Sequence, residues 1–252
     1  MNLTPGKKIY FLSDFHLGVP THKESRERED RIVRFLNSIQ HHAQEIYLMG
    51  DLFDFWFEYK TAIPKGFIRL QGKLAELADQ GIPLHIFTGN HDMWMFGYFE
   101  QELGAKIYRH PVTRTINNKK FYLGHGDGLG PGDKHYKRFK LFFHSRFCQW
   151  LFSKLHPDWG IGIANYMSTR SRNSHEESDK KFLGEENEWL AIYCKEVLQK
   201  EHVDFFVFGH RHLVLDIKLS DNSRYINLGD WIRHFSYAEF DGETLLIKKF
   251  EA

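Results

Sequence analysis

The feature that most constrains this chain is a recurrence. Short apolar, β-forming runs are each stopped by glycine or serine and a polar cluster. Ile9-Tyr10-Phe11-Leu12 ends at Ser13-Asp14, Ile46-Tyr47-Leu48-Met49 at Gly50-Asp51, and Leu84-His85-Ile86-Phe87 leads to Gly89-Asn90. Runs of this length and composition read as buried strands. Between them the apolar period changes. From about Glu24 to Gln40, Ile32, Val33, Leu36 and Ile39 share one helical face, and a second helical pattern from Ile68 to Ala78 is broken at Gly81-Ile82-Pro83. Strand, helix, strand, helix, strand predicts an α/β fold with parallel pairing and helices outside the sheet. The polar clusters therefore stand beyond the carboxyl ends of strands, where α/β sheets bind ligands.

The texture changes after Phe121-Tyr122-Leu123-Gly124. From Asp133 to about Glu201 the chain reads as helical, and strand-like runs return at 205–208, 214–219, 224–228, 237–240 and 245–250, with Asp241-Gly242 as a hairpin turn. No repeat, low-complexity tract or linker divides these parts. The expectation is a core of residues 1–132 and 202–252, interrupted by a helical insertion, a lid, over 133–201.

Composition removes several classes. With 42% hydrophobic and 27% charged residues the chain supports a packed core and is not disordered. Its 34 basic and 33 acidic residues leave a formal charge of +1, which argues against a nucleic-acid partner. Cys148 and Cys194 are too few for a disulfide framework. No apolar signal core opens the sequence and no stretch reads as a bilayer span, so a cytoplasmic, soluble protein is expected.

Five motifs carry the chemistry: Asp14-Phe15-His16, Gly50-Asp51-Leu52-Phe53-Asp54, Gly89-Asn90-His91-Asp92, Gly124-His125-Gly126-Asp127 and Gly209-His210-Arg211-His212. Carboxylate, imidazole and amide donors without cysteine suit divalent Mn, Fe or Zn, not a thiolate-held zinc. Alternate residues on an extended backbone project to one side, so Asp14 with His16, or His210 with His212, can converge on one ion. Singly, each motif reads as a turn or a cap. All five together, each after a β-like run, do not.

This ordered set resembles the calcineurin-like metallophosphoesterases, over nearly the whole chain. The resemblance implies a four-layer αββα sandwich holding two divalent metal ions. Asp14, His16, Asp51 and His212 would hold one ion, and Asp51, as the shared carboxylate, would hold the second with Asn90, His125 and His210. Such a pair shares a water, lowers its pKa and neutralises phosphoryl charge. Asp54, Asp92 and Asp127 are expected to orient ligand imidazoles or to serve as turn residues. His91 is expected near the leaving-group oxygen as an acid, with Asp92 as its partner.

The flanking segments 9–18 and 50–56 and the insertion are similar to those of the UDP-2,3-diacylglucosamine diphosphatases. That likeness implies Mn2+ and attack by a metal-bridging hydroxide on a UDP-sugar lipid, giving UMP and diacylglucosamine 1-phosphate. It also implies peripheral contact with the inner membrane. Between Asp133 and Asp158 no acidic residue occurs, and six Lys and Arg alternate with Phe, Trp, Tyr and Leu, as an interfacial helix or an acyl-chain chamber requires. An ordinary lid helix is the plainer reading. Asn165, Ser168, Arg170 and Arg172 are candidates to hold the diphosphate and sugar, or else form a solvated face. Two departures stand out. His91 replaces the Arg of the better-known lipid diphosphatases, which leaves open a phosphodiesterase or phosphatase acting on a nucleotide or soluble phosphoester. Arg211 replaces the commoner Thr, and is a candidate to supply the lost charge.

Overall fold

The structure, a computed structural model, describes residues 1–131, 134–179, 181–182 and 184–251; of residues 134–136, 139 and 169–179 it describes the backbone alone. The first half of the chain forms β1 (Lys8–Leu12), α1 (His22–Ile39), β2 (Ala43–Leu48), α2 (Ile68–Asp79), β3 (Leu84–Phe87), α3 (Tyr98–Leu103), β4 (Lys106–Tyr108), β5 (Val112–Ile116) and β6 (Lys119–Leu123). It continues through α4 (Lys134–His144), α5 (Arg146–Phe152), α6 (Pro157–Asp179) and α7 (Trp189–Leu198). Five strands close it: β7 (Phe205–Phe208), β8 (Val214–Ser220), β9 (Ser223–Leu228), β10 (Ser236–Phe240) and β11 (Leu245–Lys249).

The apolar runs that open the sequence pair in parallel as expected, β1 with β2 and β2 with β3. They form the centre of a six-stranded sheet ordered β11-β10-β1-β2-β3-β4, and a second sheet runs β5-β6-β7-β9-β8. On the outer face of the first sheet, Ile32, Phe35 and Leu36 of α1, Leu70, Leu74 and Leu77 of α2, and Phe99 of α3 bury against Leu12, Ile46, Leu48 and Ile86. Thr21 caps α1, its hydroxyl accepting from the Glu24 amide at 3.2 Å, so the helix begins just ahead of the apolar pattern that announces it. On the outer face of the second sheet, Leu190, Ala191 and Cys194 of α7 pack on Phe206, Phe208 and Tyr225. The layers are thus helix, sheet, sheet, helix. Residues 133–201, expected as an insertion, include α7, which is an outer layer of the body.

The two sheets meet through aromatic rings, which accounts for five of the 23 phenylalanines. Phe121 of β6 is fully buried between them, stacked on Phe11 at 5.9 Å and packed on Phe205 and Phe240, each at 5.0 Å between ring centroids. Rings of this size fill an inter-sheet gap of about 10 Å without voids. The remaining helices, α4 to α6, cover one end. Phe143, Cys148 and Phe152 pack on Phe55, Phe57, Tyr59 and Trp94, and the Trp94 indole donates to the Phe143 carbonyl at 2.9 Å.

Truncating the ring that joins the sheets tests this account. Phe121→Ala is expected to lower unfolding free energy by about 3–5 kcal/mol in denaturant titration, because a large cavity opens where both sheets rely on one side chain.

Candidate metal centre

The expected donors come from loops at the carboxyl ends of β1, β2, β3, β6 and β7, and the fold brings them together. Among the described residues, three groups of side chains have ligand atoms within 4.8 Å of one another: Asp14, His16 and His212; His16, Asp51 and His91; and Asp51, His125 and His210. Asp51 belongs to two of these groups, the place of a shared carboxylate. Its Oδ2 lies 3.7 Å from His16 Nε2 and 3.3 Å from His125 Nε2. Asp14 Oδ1 lies 3.7 Å from His16 Nε2 and 3.3 Å from His212 Nε2, and Asn90 Oδ1 is 3.3 Å from His125 Nε2.

Backbone conformation shows how closely these residues are constrained. Asp14, His16, Asp51, His210 and His212 all have positive φ, between 44° and 67°. A residue with a Cβ loses roughly 1–2 kcal/mol there, and such conformations persist only where surrounding structure holds them. Bonds between the loops do so. The His16 amide donates to the Asp51 carbonyl at 2.9 Å, the Asp14 amide to the Gly50 carbonyl at 3.1 Å, and the His210 amide to Asp14 Oδ2 at 3.0 Å. Gly89 admits a close approach: a Cβ there would sit 2.1 Å from Asp51 Oδ1.

The far nitrogens of the imidazoles face acceptors. His125 Nδ1 is 2.8 Å from the Met49 carbonyl, His212 Nδ1 is 3.4 Å from Asp230 Oδ2, and His16 Nδ1 is 3.5 Å from Asp54 Oδ1. These neighbours favour a proton on Nδ1 and leave the Nε2 lone pairs turned inward. His16 Nε2 and His212 Nε2 approach to 3.1 Å, an arrangement two lone pairs tolerate only with a cation or proton between them. With buried carboxylates and no thiolate, the donor set fits divalent cations.

Burial alone would raise both carboxyls. His212 and His16 around Asp14, and His125 and His91 around Asp51, instead hold them well below the usual carboxylate range. Burial would likewise depress His125 and His212, but Asp51 beside the first, and Asp14 with Asp230 beside the second, push both up to about 10. His210, buried next to His125, is pushed down to about 4.

Other expected residues fall differently. Asp92 does not partner His91. Its carboxylate accepts from the backbone amides of Gly89 and Leu52, each at 2.7 Å, and of Asp51 at 3.3 Å, tying the β2 and β3 loops together. The group beside the His91 ring is Asp54: His91 Nδ1 lies 3.1 Å from its carbonyl and 3.7 Å from Oδ1. Asp127 takes the Lys140 ammonium at 2.7 Å. Ser168 of α6 donates to Asp54 Oδ2 at 2.8 Å and lies 3.1 Å from His91 Nδ1, so α6 reaches the centre through this hydroxyl. Asn165 is exposed on the same helix, and the side chains of Arg170 and Arg172 lie outside the described residues. Arg211 does not offer its charge to the centre: it is 3% exposed and paired with Glu188.

Sequence reasoning missed Asp230. Its Oδ1 accepts from the amides of Ile232, Arg233 and His234 at 2.6–3.1 Å, which aims Oδ2 at His212. The signal was present, since Gly229-Asp230 follows an apolar strand as Gly50-Asp51 does.

Two outcomes follow. Asp230→Asn is expected to weaken divalent-cation binding by about 10–100-fold, read by titration, because it loses the charge that orients His212. Since His125 and His212 sit at about 10, they carry protons near neutrality that a cation must displace. Cation affinity therefore rises with pH and binding releases protons, detected as heats that vary with the buffer's ionisation enthalpy. For metal-free protein the sign is opposite. The folded values of about 10 exceed the unfolded value of about 6.5, so this stabilisation is complete below about 6.5 and is lost as pH rises toward 10.

Comparison with known proteins agrees with the geometry. The family model described as calcineurin-like phosphoesterase matches residues 7–214. The chain is 42% identical to a UDP-2,3-diacylglucosamine hydrolase of Porphyromonas gingivalis, an alignment covering 97% of this chain and 98% of that one. It is 26% identical to proteins of the same name from Actinobacillus succinogenes, over 89% of this chain and 92% of the relative, and from Haemophilus influenzae, over 91% and 93%. The donor loops, the layered fold and the extent of these matches lead to one conclusion: the chain belongs to the calcineurin-like phosphoesterase family.

Proposed function

We propose that this chain is a metal-dependent hydrolase that splits the diphosphate of UDP-2,3-diacylglucosamine into UMP and diacylglucosamine 1-phosphate. Asp14, His16, Asp51 and His212 would hold one divalent cation, and Asp51, Asn90, His125 and His210 the other. Mn2+ suits these nitrogen and oxygen donors. When bound, the two ions supply activation of water and neutralisation of phosphoryl charge. The relatives' shared name supports the substrate class.

The observation that carries the choice of bond is the setting of His91. Burial lowers its pKa, so the ring is neutral near pH 7. The Asp54 carbonyl 3.1 Å from Nδ1 favours the proton on that nitrogen, leaving Nε2 as an acceptor. A neutral imidazole in this tautomer is a poor general acid. An alkoxide leaving group needs one, whereas a sugar phosphate leaves as a stable anion. The His91 surroundings thus favour a diphosphate over the phosphodiester or monoester reading, and His91 would orient the substrate. Asp92 would contribute by holding the Asp51 loop.

The lid supports a lipid substrate. Its outward face exposes Leu141, Phe147, Trp150, Trp159, Tyr166 and Met167, each more than half exposed, and Lys154 lies over the Trp150 ring at 5.6 Å. Exposed rings beside basic side chains suit acyl chains and the headgroup layer of the inner membrane. Among the described residues no helix is long and apolar enough to cross a membrane, so this contact would be peripheral. Asn165 and Ser168, both on α6, would hold the polar head of the substrate, with Arg170 and Arg172 further along the same helix as candidates for the same role.

Purified protein with Mn2+ is expected to release UMP from the lipid substrate about 100-fold or more faster than it cleaves a diester with an alkoxide leaving group, the margin a missing general acid imposes. Comparable turnover of the diester, with none of the lipid, would return the soluble phosphoester reading.

A further inference from the structure

The loop after β7 is held from beneath by a buried ion pair. Gly209 lies so close to β1 that a Cβ there would meet Ser13 Oγ at 1.9 Å and Asp14 Oδ2 at 2.4 Å. Next come His210 and His212, both left-handed, with φ of 67° and 52°. Arg211 sits between them, and its amide donates back to the Gly209 carbonyl at 2.8 Å. Two strained residues in three leave this loop little preference of its own for the shape it adopts.

The Arg211 side chain turns away from the centre. Its Nε donates to both Glu188 oxygens, at 3.2 and 3.1 Å, and its guanidinium lies 4.0 Å over the Trp189 ring. Glu188 is 2% exposed and stands just before α7, at its N-cap position, with no side-chain capping bond to the helix. The Tyr225 hydroxyl adds a 3.5 Å contact to it, and Asn227 Nδ2 bonds both that hydroxyl and the Gly209 carbonyl. Arg211 is thus anchored to α7 and β9 while its two neighbours face different halves of the centre.

We propose that Arg211 and Glu188 are a positioning pair whose buried contact holds His210 and His212 in the left-handed conformations that two-cation binding requires. Neither residue touches the substrate. The proposal rests on the reading that the seven donors hold two cations. Lysine cannot replace this arginine fully, because it lacks the planar face that stacks on Trp189 and the geometry that meets both carboxylate oxygens.

The test titrates Mn2+ into the chelator-stripped full chain: wild type, Arg211→Lys, and the double variant Arg211→Met with Glu188→Gln. The double variant removes both charges of the Arg211–Glu188 pair together, a replacement folds commonly accept, and its folding is checked by thermal melting. Expected is Mn2+ binding weakened by about 10–100-fold in the double variant and less in Arg211→Lys. Turnover should fall at limiting Mn2+, with an unchanged KM for substrate at saturating Mn2+. A folded double variant that binds Mn2+ as wild type does would overturn the proposal, as would a raised KM with unchanged Mn2+ affinity, which would put Arg211 on the substrate. If the double variant does not fold, unaltered Mn2+ binding by Arg211→Lys overturns it equally. Failure of the wild type itself to bind Mn2+ would sink the two-cation reading, and this proposal with it.

Discussion

The site depends on one buried carboxylate with two claimants. Asp51 is 1% exposed, lies within reach of His16 on one side and His125 on the other, and cannot be satisfied by water. A charge so placed is costly unless opposite charge or strong donors surround it. Much of the surrounding structure follows from that requirement. Gly89 leaves room for the carboxylate, the His91 amide donates to its Oδ1 at 2.9 Å, and Asp92 holds the backbone of residues 51 and 52. His125 completes the shell with its outer nitrogen held by the Met49 carbonyl.

That shell spans both sheets. Asp14, His16, Asp51 and Asn90 follow strands of the first, while His125, His210, His212 and Asp230 follow strands of the second. The separation of the two donor sets is therefore set by the thickness of the aromatic layer between the sheets. Packing around Phe11, Phe121 and Phe205 is in this sense part of the site's geometry. Helix α6 adds a separate link, through Ser168 to Asp54 and His91, so its position and the setting of one imidazole are coupled.

The sequence announced the architecture wherever one residue type had one physical role. Apolar runs such as 9–12 and 46–49 had to be buried strands, and donors after them had to lie at one end of the sheets. Elements without that redundancy were not legible. β4 has three residues, and α3 has six, opening on Gly97 without a side-chain cap; β5 alternates as Val-Thr-Arg-Thr-Ile but is an edge strand half open to solvent. Within the site, Asp14, Asp51 and the histidines were read as a set because their order is distinctive. Asp92 was given the wrong neighbour because adjacency in sequence says nothing about which way a carboxylate turns. Arg211 was expected to face the centre for the same reason, and only the buried Glu188 shows why it does not.

The most direct measurement of the central claim is anomalous scattering from crystals of the protein soaked in Mn2+. This account predicts two peaks per chain, with the Asp51 carboxylate between them and His212 and His125 on opposite sides. A single peak, or two peaks that do not share Asp51, would contradict it.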